Sequence, residues 1–262
     1  MRILVLGSEG QLGRCLRDQI NEEEYNIKFI SRQNLDITNS KDTKTFLVNY
    51  QPDLIINAAA YTAVDDAEEN LKSASLINHS AVANIANLCK ILNCKLIHFS
   101  TDYVFDGSST IPYRENDLTN PKTIYGISKL NGELAVQSSN CDYIILRTSW
   151  VFSEYGKNFL KTILKIGLEN DELNIVSDQI GCPTYAQDIA KAIVIIMSQL
   201  DLKAFNSGIF HYCGDKSCSW YDFAKIILNK AKRMGLIKKT AASIQLKQRN
   251  TLQEQSDQDT QY

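Results

Sequence analysis

Over its first 150 residues the chain alternates short apolar runs with segments of helical periodicity, and this alternation narrows the choice of fold more than any other feature. The runs read "RILVLG", "NIKFIS", "PDLIINAAA", "CKLIHFST" and "DYIILRTSW". Between them lie "QLGRCLRDQINEEEY", "TKTFLVNY", "SASLINHSAVANIANLCKIL" and "TIYGISKLNGELAVQSS". In the first of these Leu12, Leu16 and Ile20 recur at a spacing of four, as one face of a helix requires. Apolar strands with helices between them imply a parallel sheet covered on both faces, an α/β doubly wound fold. Such sheets take ligands beyond the carboxyl ends of their strands, so the loops after Leu6, Ile30, Ile56 and Phe99 should line a site.

After Trp150 the rhythm loosens into shorter elements. Residues 151–237 read as a smaller α/β lobe interleaved with the first, and part of 178–200 is expected to complete the sheet of residues 1–150. The tail, 238–262, holds six glutamines and no aromatic residue except Tyr262. It has little to bury and is expected to be disordered.

The turn after the first strand reads "GSEGQLG", with glycines at positions 7, 10 and 13. Glycine permits positive φ and lets a phosphate approach the main chain, and the helix that follows offers free N–H groups to a pyrophosphate. Gly7 suits the turn, Gly10 the close approach and Gly13 the packing of helix on strand, so a dinucleotide is expected here. The second strand ends in Ser31 and Arg32 rather than an acidic residue. A guanidinium beside a hydroxyl suits a ribose 2′-phosphate, which favours NADPH and leaves NADH open. Arg32 reads equally as a solvated surface residue, and Asp36 either faces the adenine or caps the helix after "DITNS".

Tyr125 and Lys129 in "YGISK" sit four apart at the start of a helix and so share a face. A lysine ammonium beside a phenol is expected to lower its pKa toward working pH, which suits a donor of a proton to a forming alkoxide. Ser100, Thr101 and Asp102 follow a strand directly, where a hydroxyl can polarise a carbonyl. The dinucleotide turn, the hydroxyl pair and the Tyr–Lys pair together describe hydride transfer between a nicotinamide and a carbonyl or alcohol. The three histidines, His79, His98 and His211, lie in apolar or helical settings and read as packing or surface residues. Asp65, Asp66, Glu68 and Glu69 read as a solvated helix start. Trp150 and Phe152 belong either to the core or, for the tryptophan, to a surface that stacks on a sugar or base.

Other function classes find no support. A net charge of −2 gives no reason to expect nucleic acid or a membrane surface as partner. The opening "MRILVLGSEG" is too short in its apolar run for a signal peptide or a span, so a cytoplasmic protein is expected. The seven cysteines form no C-x-x-C pair and read as reduced thiols, with no metal site.

"GSEGQLG", "LDIT", "PDLIINAAAYTAVDDAE", "STDYVFDG", "YGISKLNGE", "LRTSWVF", "SDQIGCPT" and "SWYDFA" together resemble the motif series of the dTDP-4-dehydrorhamnose reductase family, within the extended short-chain dehydrogenase/reductases. The resemblance runs from Met1 to about Gly235. It implies a Rossmann-type dinucleotide-binding domain over 1–150 with a substrate lobe over 151–237. The implied reaction is NAD(P)H-dependent reduction of the 4-keto group of dTDP-4-dehydro-6-deoxy-L-mannose to give dTDP-L-rhamnose.

Carried over by position, Thr101, Tyr125 and Lys129 match the catalytic trio. Gly10, Gln11, Leu12, Asp36, Ile37 and the segment Ala58, Ala59, Ala60, Tyr61, Thr62 match cofactor contacts. Val64, Thr101, Asp102, Tyr103 and Trp150 match positions near the nucleotide sugar. Some family members form dimers with bound magnesium, but no carboxylate cluster here commits the chain to a metal. The tail departs from the family pattern, lacking its Arg-Pro segment and final helix. Two alternatives stand beside this reading: a reductase or epimerase of another nucleotide-linked 4-keto sugar, and a non-catalytic NADP-binding regulatory subunit.

Overall fold

The computed structural model describes residues 1–170, 172–200, 205–237 and 243–247. The chain begins β1 (Arg2–Leu6), α1 (Gln11–Gln19), β2 (Asn26–Ile30), α2 (Ser40–Tyr50), β3 (Leu54–Asn57), α3 (Val64–Glu69) and α4 (Leu71–Ser75). A π-helical turn at Leu76–Ser80 leads into α5 (Ala81–Leu92), β4 (Lys95–Thr101) and a 3-10 turn at Asp102–Val104. Next are α6 (Ile124–Ser138), β5 (Tyr143–Thr148), β6 (Val151–Phe152), α7 (Phe159–Glu169), β7 (Glu172–Val176), β8 (Ile180–Gly181) and β9 (Thr184–Tyr185). The rest is α8 (Ala186–Gln199), β10 (Gly208–His211), β11 (Cys218–Ser219), α9 (Trp220–Arg233) and β12 (Ser243–Lys247). Two compact units result. The first joins Met1–Thr148 to Ala186–Tyr212, and the second joins Ser149–Tyr185 to the described residues from Cys213 onward.

The first unit holds a parallel six-stranded sheet in the order β2-β1-β3-β4-β5-β10. The direction of winding reverses between β1 and β3, which opens a crevice at their carboxyl ends, the usual ligand position in such sheets. Leu4, Leu6, Ile55, Leu96 and Ile145 point to one face and pack with Val82, Ile85 and Ala86 of α5. The alternate residues Ile3, Val5, Leu54, Ile56 and Ile97 are fully buried on the other face. The expectation that part of 178–200 completes this sheet is corrected: the sixth strand is β10. Ala186, Ile189, Ala190, Ile193 and Met197 recur at helical spacing and are buried, so that stretch forms α8 and packs on α1. Gln187 links the two helices, accepting from Gln19 Nε2 and donating to Asp18 Oδ2, each at 2.8 Å.

Local chemistry shifts several boundaries. The pattern that predicts a first helix to Tyr25 stops at Gln19, because Asn21 Oδ1 accepts the Glu23 N–H at 3.1 Å and offers the backbone a competing turn. Three glutamates in a row would also oppose the dipole at a helix C-terminus. The single helix expected over Ser73–Leu92 is interrupted by the π turn, which carries Asn78 inward.

In the second unit α7 and α9 close a core of Ile163, Leu173, Phe223, Ala224, Ile227, Leu228 and Ala231. A capping box between Ser219 and Asp222 starts α9. β12 pairs in parallel with β7, Ser243 opposite Glu172 through Lys247 opposite Val176. This corrects the expectation of a structureless tail over Ser243–Lys247, where "SIQLK" alternates apolar and polar residues at the strand period. The remainder of that tail lies outside the described residues.

Candidate active site

At the end of β1 the backbone N–H groups of Gly7 and Ser8 both donate to Ile30 O, at 3.0 and 3.1 Å, tying the turn to β2. Gly7 has φ +80°, and a Cβ there would lie 2.6 Å from Ala59 N. A Cβ on Gly13 would lie 2.2 Å from Gly7 O, whereas one on Gly10 would meet only that same oxygen, at 3.2 Å. Gly10 precedes α1 as a cap without a side chain, so the start of this helix receives no side-chain cap. Ser8 Oγ is buried there without a partner. A Gly7→Ala variant should lose about 1 kcal/mol of stability or more, since alanine is strained at this φ. A lowered urea midpoint is the expected reading, and an unchanged midpoint would show that the turn tolerates a side chain.

Past β2, Ser31 N and Oγ both donate to Asn34 Oδ1, at 3.3 and 2.7 Å. Arg32 is 77% exposed and its Nε lies 3.4 Å from Asp36 Oδ2. Asp36 does not cap α2. Its Oδ1 accepts from Thr38 N and Oγ1, at 3.0 and 2.7 Å, and these bonds hold its carboxyl below the usual range. The cap is Asn39, which accepts from Asp42 N at 3.1 Å. Ile37, beside it, is buried.

Past β3, two asparagines shape the segment Ala58–Thr62. Asn57 Oδ1 accepts from Ala59 N at 3.2 Å, and its Nδ2 faces His98 Nδ1 at the same distance. Asn78 Oδ1 accepts from Tyr61 N at 2.9 Å, while its Nδ2 donates to Tyr61 O and to Ser128 Oγ, both at 3.0 Å. Sequence reasoning missed Asn78, which sits inside an otherwise apolar helical stretch with no local signal of its use. Asn57 did leave a signal, as a polar residue closing an apolar strand. Ala60 and Thr62 are exposed, while Tyr61 and Val64 are half-buried.

β4 extends past the end of β3 and delivers Thr101 to the sheet's carboxyl edge. Thr101 Oγ1 donates to Asp102 Oδ1 at 3.0 Å and accepts from Tyr103 N at 3.2 Å. α6 starts with Thr123 accepting from Gly126 N at 3.0 Å. Glu68, from the acidic run, caps the same end by accepting from Ile124 N at 2.8 Å.

Tyr125 is half-buried, its ring edge-on to Tyr103 at 5.6 Å. It shares a hydrogen bond with Thr101. One turn on, Lys129 is buried and donates to Phe99 O at 2.6 Å. The structure thus brings Thr101, Tyr125 and Lys129 together. Glu133, a further turn along α6, pairs with Arg147 Nη2 at 2.7 Å, both buried.

The titration differs from the sequence expectation. Burial raises the Tyr125 phenol well above its usual value, outweighing the Thr101 hydrogen bond. Lys129 is itself pushed down to about 8 by burial, with its ammonium turned to a main-chain carbonyl, and the shift of the phenol comes from burial rather than from the lysine. Asp102 is raised by burial to about 6. Its folded pKa lies above its unfolded value, so its favourable share of stability is full below about 4 and is lost as pH rises through about 6. Asp102→Asn should therefore gain stability relative to the parent between those values. Parallel urea melts at the two ends of the window check this, and identical pH profiles would count against a buried Asp102.

Trp150 does not close a strand. It lies between β5 and β6 with φ +44° and stacks on Trp220, the centroids 3.4 Å apart and the planes within 7°. His98 is fully buried on β4, and burial pushes it well below its usual pKa. His79 lies in the π turn and His211 on β10. None of the seven cysteines is joined in a disulfide. Among the described residues, no three metal-ligating side chains gather and no helix is long and apolar enough to cross a membrane.

Known proteins share the sequence and the fold of this chain. Residues 1–256 match the family described as RmlD substrate binding domain. A dTDP-4-dehydrorhamnose reductase of Sinorhizobium fredii is 42% identical over 231 residues, covering 87% of this chain and 78% of the relative. One from Aggregatibacter actinomycetemcomitans is 41% identical over 232 residues, covering 88% and 79%. The crystal structure of dTDP-4-dehydrorhamnose reductase from Bacillus anthracis in complex with NADP superposes with a TM-score of 0.87 at 36% identity, covering 96% of this chain and 85% of that one. Shared sequence over most of the length and a shared parallel sheet lead to one assignment: the chain belongs to the dTDP-4-dehydrorhamnose reductase family.

Proposed function

We propose that this protein reduces the 4-keto group of dTDP-4-dehydrorhamnose to the alcohol of dTDP-L-rhamnose, with NADPH as reductant. The observation that carries this reading is the grouping of Thr101, Tyr125 and Lys129 at the carboxyl edge of the sheet in a chain so similar to named reductases. The turn fits a dinucleotide: Gly7 and Gly13 permit a turn so tight that a Cβ on either would strike the chain's own backbone, and Gly10 starts α1 with no side-chain cap, leaving its N-terminus to an anion. Gly7 to Gly13 would hold the pyrophosphate, Ser31 and Arg32 the 2′-phosphate, and Ala58 to Thr62 the inner side of the crevice. When bound, NADPH supplies the hydride that goes to C4.

The chain's own residues supply the rest. Tyr125, held protonated by burial, donates its phenolic proton to O4 as negative charge develops there. Thr101 places a hydroxyl beside that oxygen, and turning its proton from Asp102, which accepts it here, toward O4 lets it stabilise the charge that develops there. Lys129, titrating near 8, orients the nicotinamide ribose and supports proton return to Tyr125. The first unit is the coenzyme domain in this reading, and the second, with Trp150, serves the nucleotide sugar. The protein would work in the cytoplasm, where its coenzyme is regenerated.

The test is the fall of NADPH absorbance when dTDP-4-dehydrorhamnose is added to purified protein, with NADH and other nucleotide-linked ketosugars in parallel. No consumption with any of them, together with intact NADPH binding, would favour the regulatory-subunit alternative.

A further inference from the structure

Trp150 is held in a conformation that a bulky side chain rarely adopts. Its φ of +44° costs energy for any residue with a Cβ, and such strain persists only where the surroundings enforce it. The enforcement is visible on both sides of the residue. Ser149 Oγ donates to Cys182 O at 2.8 Å, and Trp150 O accepts from Thr184 N at 3.2 Å.

The indole is gripped as well. Trp220 lies flat on one face at 3.4 Å, close to van der Waals contact. A Cβ on Gly181 would lie 2.3 Å from Cε2 and 2.6 Å from both Nε1 and Cζ2 of Trp150. A point so nearly equidistant from three adjacent ring atoms sits above the ring plane, not off its edge. Trp220 already fills one face, so Gly181 backs the other. Trp220 is in turn anchored by Nε1 donating to Gln179 Oε1 at 3.2 Å and by Phe159 at 4.3 Å.

With both faces covered, the stacking role expected of Trp150 has no surface to use. Its half-exposed edge remains, and among the described residues no acceptor is paired with its Nε1. We propose that Gly181 and Trp220 are positioning residues that clamp Trp150 between them, so that Trp150 meets the nucleotide sugar through its indole N–H, donating to a ligand oxygen. The inference rests on the reading that Trp150 contacts the nucleotide sugar. The acceptor is an oxygen of either the diphosphate or the sugar.

The chain's only tryptophans are these two, which makes the clamp observable. Face-to-face indoles should give an exciton couplet in the far-ultraviolet circular dichroism of the whole protein, where the strong indole transitions lie. Trp150→Phe should raise KM for dTDP-4-dehydrorhamnose about tenfold, the worth of one hydrogen bond, with kcat changed far less. Trp220→Phe, which can still stack, should keep KM near the parent value, whereas Trp220→Leu should raise it as Trp150→Phe does. NADPH binding should survive in all three variants.

Titration with dTDP and with dTDP-L-rhamnose locates the acceptor. Equal weakening of both in Trp150→Phe assigns the diphosphate, and weakening of dTDP-L-rhamnose alone assigns the sugar. A parent-like KM in Trp150→Phe overturns the N–H contact, and a parent-like KM in Trp220→Leu beside a raised one in Trp150→Phe overturns the clamp. If Trp150→Leu also leaves KM and both titrations unchanged in an active enzyme, the assignment of Trp150 to the nucleotide sugar falls as well.

Discussion

Tyr125→Phe is expected to lower turnover of dTDP-4-dehydrorhamnose by about 10²-fold or more, the usual worth of a positioned proton donor. The substitution removes one oxygen and little else. Phenylalanine keeps the edge-on contact with the Tyr103 ring and fills the same half-buried space at the start of α6. NADPH affinity and the denaturant midpoint should therefore stay close to the parent values, which separates loss of the proton from loss of the fold. Because burial keeps the Tyr125 phenol protonated through neutral pH, the parent needs no nearby cation to have a proton to give. The loss should fall on kcat more than on KM, since the proton moves as charge develops on O4. Activity within a few-fold of the parent would remove Tyr125 from the role of donor.

The parts of this molecule legible in its sequence are those fixed by backbone geometry and burial. The runs around Leu4, Ile55 and Ile97 had to be strands covered on both faces, because all three are fully buried in a parallel sheet. Gly7 announced its positive φ through the residue type alone. Contacts between residues distant in sequence were less legible. Asn78 and Ser128 stand fifty positions apart, and nothing local says that one carboxamide serves both α6 and the Tyr61 backbone.

Charge behaviour was misread for a related reason. Four residues of spacing placed Lys129 on the same face as Tyr125, but spacing does not reveal that its ammonium is taken up by Phe99 O. Trp150 was placed in sequence beside its strand, yet its stack on Trp220 joins residues seventy positions apart.

The buried pair of Glu133 and Arg147 should be the most costly polar contact in the fold to break from one side. Arg147 Nε donates to Glu133 Oε1 at 3.0 Å and Nη2 to Oε2 at 2.7 Å, a two-pronged arrangement on a carboxylate with no exposed surface. Nη1 donates to Glu115 O at 3.2 Å, and Glu115 Oε1 accepts from His211 N at 3.1 Å, so the guanidinium also ties the loop before α6 to the sheet edge. The Phe105 ring lies under it at 5.1 Å.

Arg147→Met strands the Glu133 carboxylate in the interior and should cost about 3–5 kcal/mol, seen as a large fall in urea midpoint. Joining it with Glu133→Leu removes the stranded charge and should return most of that loss, since the desolvation penalty disappears with the pair. A double variant no more stable than Arg147→Met would mean that the bonds to Glu115 and the ring contact carry the cost instead. Because Glu133 stands one turn beyond Lys129 and its charge holds the lysine's pKa up, the double variant should also let Lys129 deprotonate at lower pH than the parent's value near 8. An activity profile whose basic limb moves down in the double variant would join the buried pair to the tuning of the lysine, and an unmoved limb would confine it to stability.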